Sequence, residues 1–204
     1  MDTDRYTIEA RGLSRSFGRT QILRGINVTL VTGDSFAVTG PNGSGKSTLL
    51  MILAGLQKQT RGTVMHRSSE EIHRDDWSAH IGYTGPLVNP YDELTAFENI
   101  AFAAREKATG ERIESLLRAF NLADQRNKKT KHYSSGMKQR LKIILAVLND
   151  PPVLFLDEPG TNLDGDGKER LSAFMDSARS RKIIVIATND PAEASLCTGG
   201  IRLG

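Results

Sequence analysis

Only one cysteine, Cys197, occurs in the 204 residues, so no intrachain disulfide can form and the chain reads as one made for a reducing compartment. No apolar run approaches the roughly 20 residues that cross a bilayer as a helix. Any membrane-spanning part of a working assembly is therefore expected from another subunit. The opening residues 1–5, MDTDR, are polar and carry acid, unlike a signal peptide. A large excess of one charge is also missing. The 27 basic and 24 acidic side chains leave a formal +3, too little to argue for nucleic acid as a partner. His66, His73 and His80 lie with Trp77 in a polar stretch, at no compact ligand spacing and with no cysteine, so a metal there is not expected. Without internal repeats or low-complexity segments, the chain is expected to form one domain, or one domain with a subdomain, around a sizeable core.

What is present is organised around Gly40-Pro41-Asn42-Gly43-Ser44-Gly45-Lys46-Ser47. The pattern G-x-x-x-x-G-K-[ST] marks a phosphate-binding loop when a buried strand precedes it and a helix follows. Residues 35–39 (SFAVT) are short, apolar and β-capable, and residues 48–54, from Thr48 onward, are rich in helix formers. Glycines let the backbone curl so that successive N–H groups point at one anion, and the helix N-terminus adds the positive end of its dipole. Lys46 is placed to reach β- and γ-phosphates, and the Ser47 hydroxyl to ligate Mg²⁺. Residues 40–48 are thus the candidate phosphate contacts.

Upstream, residues 6–10 and 13–18 read as a strand running into a turn, residues 26–31 as a second alternating strand, and residues 32–34 as a turn. Two β segments ahead of strand–loop–helix predict an antiparallel β layer beside a parallel nucleotide-binding core. Phe17 is either an ordinary half-buried strand aromatic or a ring that stacks on adenine. Downstream come a short strand at 63–65, a turn or short helix from Asp75, and a strand at 81–84 broken by Gly85-Pro86. Thr95-Ala96-Phe97-Glu98 is a capping box opening an apolar helix through Ile100, Phe102 and Ala103. A second helix over about 109–120 carries Ile113, Leu116, Leu117 and Phe120 on one stripe. Residues 125–131 read as a basic, solvated face.

Tyr133-Ser134-Ser135-Gly136-Met137-Lys138-Gln139-Arg140 opens a long helix with Met137, Leu141, Ile144, Leu145 and Leu148 on one face. Its serines and glycine are either a plain N-cap or a second anion site. Residues 153–158 form a buried strand ending in two carboxylates. C-terminal strand ends of a parallel core face the ligand crevice. Asp157 is therefore expected toward Mg²⁺ through water, and Glu158 beside a γ-phosphate, placed to orient and deprotonate the attacking water. Thr161-Asn162-Leu163-Asp164 leads into a helix over about 168–179, with Leu171 and Phe174 inward. Residues 183–188 are the last buried strand, with Asn189-Asp190 again at the crevice. A short helix at 191–194 and an edge strand at 201–203 complete the reading.

Together these residues resemble the ATP-binding cassette of ABC transporters over essentially the whole chain. The likeness rests on the loop at 40–47, the signature-like segment 133–140, the acidic strand 153–158, the D-loop-like Thr161-Asn162-Leu163-Asp164, and Phe17 at the adenine-stacking position. It implies an α/β fold of the P-loop NTPase type, with a RecA-like core and antiparallel β subdomain (residues 1–89 and 150–204) and an inserted helical subdomain (about 90–149). It implies ATP and Mg²⁺ as cofactors, with Phe17, Gly40, Pro41, Asn42, Gly43, Ser44, Gly45, Lys46, Ser47 and Thr48 around the nucleotide. Ser47 and Asp157 would serve the metal, and Glu158, Lys46 and Asn189 the chemistry. In that family two cassettes pair head to tail on ATP, so Ser135 and Gly136 would serve the partner's nucleotide and the Asp164 loop would face the seam. The implied setting is a cytoplasmic ATPase held at the inner face of the membrane by an integral transporter subunit.

Three motifs depart from the family pattern. The signature Leu-Ser-Gly-Gly-Gln reads Tyr133-Ser134-Ser135-Gly136-Met137, as in Ser-Ser-Gly-Met variants of small bacterial cassettes. The glutamine after Ile81-Gly82-Tyr83, a Mg²⁺ ligand and sensor of the membrane subunit, gives way to Thr84, Gly85 and Pro86. The switch histidine is Asn189, which donates a hydrogen bond but takes no proton and carries no charge. Slow, Glu158-dependent hydrolysis is therefore expected. The chain also stops soon after its last strand, so no regulatory C-terminal domain is expected. Compactness, the helix start Leu94-Thr95-Ala96-Phe97-Glu98-Asn99 and the missing glutamine are most like the ATPase of the bacterial haem exporter of cytochrome c maturation. Three other functions compete. A soluble ABC-type ATPase of ribosomes or DNA usually carries tandem cassettes or long coiled-coil insertions, and the helical block here lacks sustained heptads. A small-molecule kinase needs an acceptor pocket and lid, against which the Asp157-Glu158 pair and the signature helix argue. A nucleotide-gated module with little turnover is kept open by Asn189.

Overall fold

Alternation of apolar and polar side chains builds the first layer, seen in a computed structural model that describes residues 5–204. The polar opening at residues 1–4 lies outside the described residues. Strands β1 (Thr7–Phe17) and β2 (Thr20–Val31) form a long antiparallel hairpin. With β4 (Arg61–Arg67) and β5 (Glu71–Ile72) they make a four-stranded sheet in the order β2-β1-β4-β5. Strand β2 begins at Thr20, not at residue 26. Its first half is mostly exposed, with Leu23 as its one fully buried side chain, so it carries little periodicity to read.

The second layer is a five-stranded parallel sheet. Its members are β3 (Ser35–Thr39), β6 (Ile81–Thr84), β7 (Val153–Asp157), β8 (Ile183–Thr188) and β9 (Gly199–Arg202), in the order β6-β7-β8-β3-β9. Strands β7 and β8 are buried at every position, as expected where both faces of a parallel sheet are covered. Their two-residue periodicity feeds two cores. Val153, Phe155, Ile183, Val185 and Ala187 join the antiparallel layer and helix α1 (Lys46–Leu53) on one face. Leu154, Leu156, Ile184 and Ile186 join a helical layer on the other. After the four-residue helix α2 (Trp77–His80), that layer comprises α3 (Ala96–Ala103), α4 (Gly110–Ala119), α5 (Ser135–Val147) and α6 (Gly165–Ala178). A further four-residue helix, α7 (Pro191–Ala194), follows β8. The expected antiparallel layer beside a parallel α/β core is the fold found.

Several local expectations change. Helix α3 has both bonds of its capping box, Glu98 N–H to Thr95 Oγ1 (3.1 Å) and Thr95 N–H to Glu98 Oε2 (2.7 Å). Phe97 and Phe102 nevertheless face out, and the buried side of that helix is Ala96, Asn99 and Ile100. Helix α6 starts at Gly165 because Asp164 caps it, accepting from the Gly167 N–H at 2.9 Å. Helix α5 is buried over a wider arc than one stripe, Gln139, Arg140 and Val147 included. The basic stretch 125–131 is not wholly solvated: Thr130 is buried and hydrogen-bonded to the Tyr91 carbonyl, while Lys129 and Lys131 pair with Glu93.

His66 lies at the heart of the first core. Its ring stacks on Trp77 at 3.8 Å between centroids. The neutral ring suits both of its partners, accepting from the Tyr6 hydroxyl at Nδ1 (2.9 Å) and donating from Nε2 to the Leu53 carbonyl (2.9 Å). Burial holds its pKa down to about 4 from an ordinary 6.5. The unfolded chain takes up a proton across that interval, so this residue's stability is fully present above the unfolded pKa and is lost as the pH falls through the interval. Urea denaturation at pH 7 and pH 5 is expected to show a loss of about 2 kcal/mol from this residue. His66→Gln should flatten that part of the pH dependence, and an unchanged slope would remove His66 as its source.

Candidate functional site

The site grows from the C-terminal ends of three parallel strands. Beyond β3, Gly40 has φ +143°, and a Cβ there would stand 2.3 Å from the Leu203 carbonyl oxygen and 2.7 Å from Ser44 Oγ. Gly45, at φ +99°, is the N-cap of α1 and leaves its first amides uncapped by any side chain. Free amides at a helix start, reached through a left-handed glycine loop, form an anion cradle. A Cβ on Gly45 would come within 2.6 Å of Ile22 Cγ2, so the half of β2 that the sequence concealed forms one wall of the cradle.

Lys46, with only 6% of its side chain exposed, donates to the carbonyls of Gly40 (2.9 Å) and Pro41 (3.2 Å). Its Nζ is 3.9 Å from Glu158 Oε1. Glu158 itself has φ +53°, in the left-handed region that a bulky residue adopts only under constraint. Its N–H donates to the Ala187 carbonyl (2.8 Å) and its own carbonyl accepts from Thr161 N–H (3.2 Å). Burial raises its carboxyl above the ordinary value; Lys46 opposes the shift and Asp157 adds to it. A carboxylate so placed is a better proton acceptor than one in water.

Asp157 is buried at the end of β7. Burial raises its pKa against the opposing pull of the Ser47 and Tyr83 hydroxyls and Lys46. Tyr83 Oη approaches its Oδ2 at 3.5 Å, while its Oδ1 has no hydrogen-bond partner among the described residues. A buried carboxylate oxygen left open beside a serine hydroxyl is a hard-oxygen donor set that fits Mg²⁺. Where the expected glutamine is missing, Thr84 is fully buried and its Oγ1 is likewise unpartnered among the described residues. Beyond β8, Asn189 Nδ2 donates to Asn42 Oδ1 at 3.4 Å, so this position touches the phosphate loop.

A cleft of about 390 Å³ gathers Phe17, Ile22, Asn42, Gly43, Gly45, Lys46, Ser47, Thr48 and Glu158. Phe17 is 47% exposed in it, outside the core, with the Arg15 guanidinium 4.4 Å from its ring centre. Gly40, Pro41 and Asn189 line an adjoining groove. Ser44 Oγ is buried beneath the loop. Ser135 and Gly136 line neither space. At their helix start the capping residue is Ser134, which accepts from the Met137 N–H at 3.2 Å. Asp164, besides capping α6, binds Arg140 at 2.6 Å.

Gln139, Arg140, Tyr83 and Thr161 stand in the sequence only as members of motifs, and the structure adds their individual contacts. Gln139 and Arg140 lie off the apolar stripe of α5, so the sequence alone reads them as solvent-facing, although both are buried. Tyr83 reaches Asp157 from the neighbouring strand, and Thr161 turns back onto Glu158 within its own loop.

Residues 23–161 match the sequence model of the ABC transporter family. The chain is 33% identical over 202 residues to the lipoprotein-releasing system ATP-binding protein LolD of Bacteroides thetaiotaomicron, covering 93% of each chain. It is 31% identical over 186 residues to the lantibiotic transport ATP-binding protein SrtF of Streptococcus pyogenes, covering 89% of this chain and 79% of that one. It also resembles the dimeric post-hydrolysis structure of an ATP-binding cassette bound to ADP and Pi, with TM-score 0.82 and 26% identity over 96% of this chain and 94% of the other.

Gly40→Ala tests the cradle. Its Cβ has no room, so a loss of about 2 kcal/mol or more is expected, together with loss of the rise in Tm that ATP and Mg²⁺ confer. Gly43→Ala, at φ +82° but in open space, should cost less. Calorimetry with and without nucleotide compares them, and equal losses would contradict the steric account.

Proposed function

The chain belongs to the ABC transporter family, and from that premise we propose that it closes on ATP with a second cassette and drives a separate membrane subunit by hydrolysis at Glu158. It is an ATP-binding subunit of an ABC transporter and an ATPase. The observation that carries the assignment of residues is the approach of Lys46 Nζ to Glu158 Oε1, 3.9 Å, inside the cleft formed by the phosphate loop and Phe17.

The loop amides and Lys46 hold the phosphates, and Phe17 offers a face to the adenine. Glu158 orients a water against the γ-phosphate and takes its proton on the carboxylate, whose pKa burial has raised. Asn189 donates a hydrogen bond where a histidine would also carry charge. Ser47 and Asp157 would hold Mg²⁺, which would supply charge neutralisation for the bound polyphosphate. Ser135 and Gly136, lying outside this chain's own cleft, complete the site of the second copy. The division into a catalytic core with its β subdomain (1–89 and 150–204) and a helical subdomain (about 90–149) is part of the same proposal.

No helix among the described residues is long and apolar enough to cross a membrane. Leu87, Tyr91, Phe97 and Phe102 are all large and exposed, Leu87 at 83% and Phe102 at 72%. Tyr91 and Phe102 meet edge to face at 5.3 Å. An apolar group of this kind on and before α3 supports docking of an integral membrane subunit, with the ATPase held at the cytoplasmic face. Haem export in cytochrome c maturation is the finer reading and rests on residues 94–99 and the absent glutamine, whereas the relatives above are named for lipoprotein release and lantibiotic transport. A slow, nucleotide-gated module is the alternative that Asn189 keeps open, and the family match and the transport relatives do not favour it.

Phosphate release and light scattering decide between turnover and gating. Glu158→Gln is expected to lower hydrolysis by about 100-fold or more while ATP still binds, and to accumulate an ATP-dependent dimer. An undiminished rate would remove Glu158 as the base. Asn189→His is expected to raise the rate, and no change would weaken the role given to that position.

A further inference from the structure

Helix α5 presents Ser135 and Gly136 at its exposed start. One turn further along it buries two polar side chains, Gln139 and Arg140. Gln139 Nε2 donates to the Pro159 carbonyl at 2.9 Å and lies 3.4 Å from the Glu158 carbonyl. Arg140 Nη2 reaches Asp164 Oδ1 at 2.6 Å and Asp166 Oδ2 at 3.4 Å. The same helix thus grips both ends of the segment that follows β7. A Cβ added at Gly136 would stand 2.9 Å from the Asn162 carbonyl oxygen, so the helix start packs on the middle of that segment too.

The segment needs such a grip. Glu158 and Asn162 both hold left-handed backbone conformations, at φ +53° and +66°, without being glycine. Residues in that region persist only where the surroundings over-determine them. The Ala187 bond fixes the Glu158 main chain from the sheet, and the Thr161 bond closes a turn within the segment itself. Gln139 closes it from the helix side, and a buried carboxamide is held there by the cost of leaving its polar atoms unpaired.

We propose that Gln139 is a positioning residue for Glu158, joining the signature end of α5 to the glutamate of the same chain through the Glu158 and Pro159 carbonyls. Resting on the function proposed above, this makes α5 a two-ended part. Its Ser135-Gly136 end meets the partner's nucleotide, and its Gln139 side sets the main chain that aims the base at this chain's own nucleotide. A shift of α5 on dimer closure is then felt at Glu158 without passing through solvent.

The test uses the full chain with ATP and Mg²⁺. Gln139→Met keeps the length and apolar packing but removes the donor. It is expected to lower kcat at least tenfold, with KM for ATP within about twofold of the unaltered chain and a similar Tm. Added to Glu158→Gln it should leave the residual rate within about twofold, because its effect runs through that carboxylate. If Gln139→Met folds poorly, Gln139→Leu, which also has no donor to give, carries the test with the same expected loss. An unaffected kcat in a folded variant, or a full further loss on top of Glu158→Gln, overturns the positioning role. If the unaltered chain hydrolyses ATP but Glu158→Gln does not slow it, the function proposed above fails and this inference with it.

Discussion

The site depends on the parallel register of three strands. Thr39 of β3 stands opposite Thr188 of β8, and Asp157 of β7 stands opposite Ala187 of β8. That alignment ends all three strands on one line, so the phosphate loop, the acidic pair and Asn189 emerge side by side. Register in a sheet buried on both faces is costly to change, because a one-residue slip would exchange the two sets of side chains that feed the two cores. The dry interior of β7 and β8 therefore sets the geometry of a polar crevice that it does not itself touch.

The crevice concentrates opposing electrostatic demands. Two neighbouring carboxyls are drawn out of water, which raises both. The buried Lys46 ammonium stabilises their charged forms while turning its hydrogen bonds onto loop carbonyls. The arrangement is poorly neutralised for a purely structural cluster, where buried charge is normally paired and hydrogen-bonded throughout. It suits a place where polyphosphate and a divalent cation bring their own charge.

Much of this was legible in the chain. Residues 153–156 and 183–187 are apolar without interruption, and the glycine pattern at 40–47 needs no partner to be seen. What stayed hidden required tertiary knowledge. The first half of β2 looks polar because it is an exposed ribbon, yet Ile22 walls the cradle. His66 sits among polar neighbours in the sequence, and only the fold lays it on Trp77. Helix α6 starts at Gly165, ahead of the expected 168, because the Asp164 cap outweighs the poor helix propensity of Gly165 and Gly167. Thr130 looked solvated from the lysines around it, though its hydroxyl closes a buried contact with the Tyr91 carbonyl.

The exposed ring of Phe17 has one further consequence. A phenyl group offers a π-face and no hydrogen-bonding edge, and here the Arg15 guanidinium lies over one side of it. Such a surface distinguishes flat from non-flat and electron-rich from electron-poor, but it does not distinguish amino from keto substituents. Any preference for adenine over guanine would have to originate elsewhere in the assembly, and with Phe17 alone as the base platform the engine would be indifferent to which purine triphosphate fuels it.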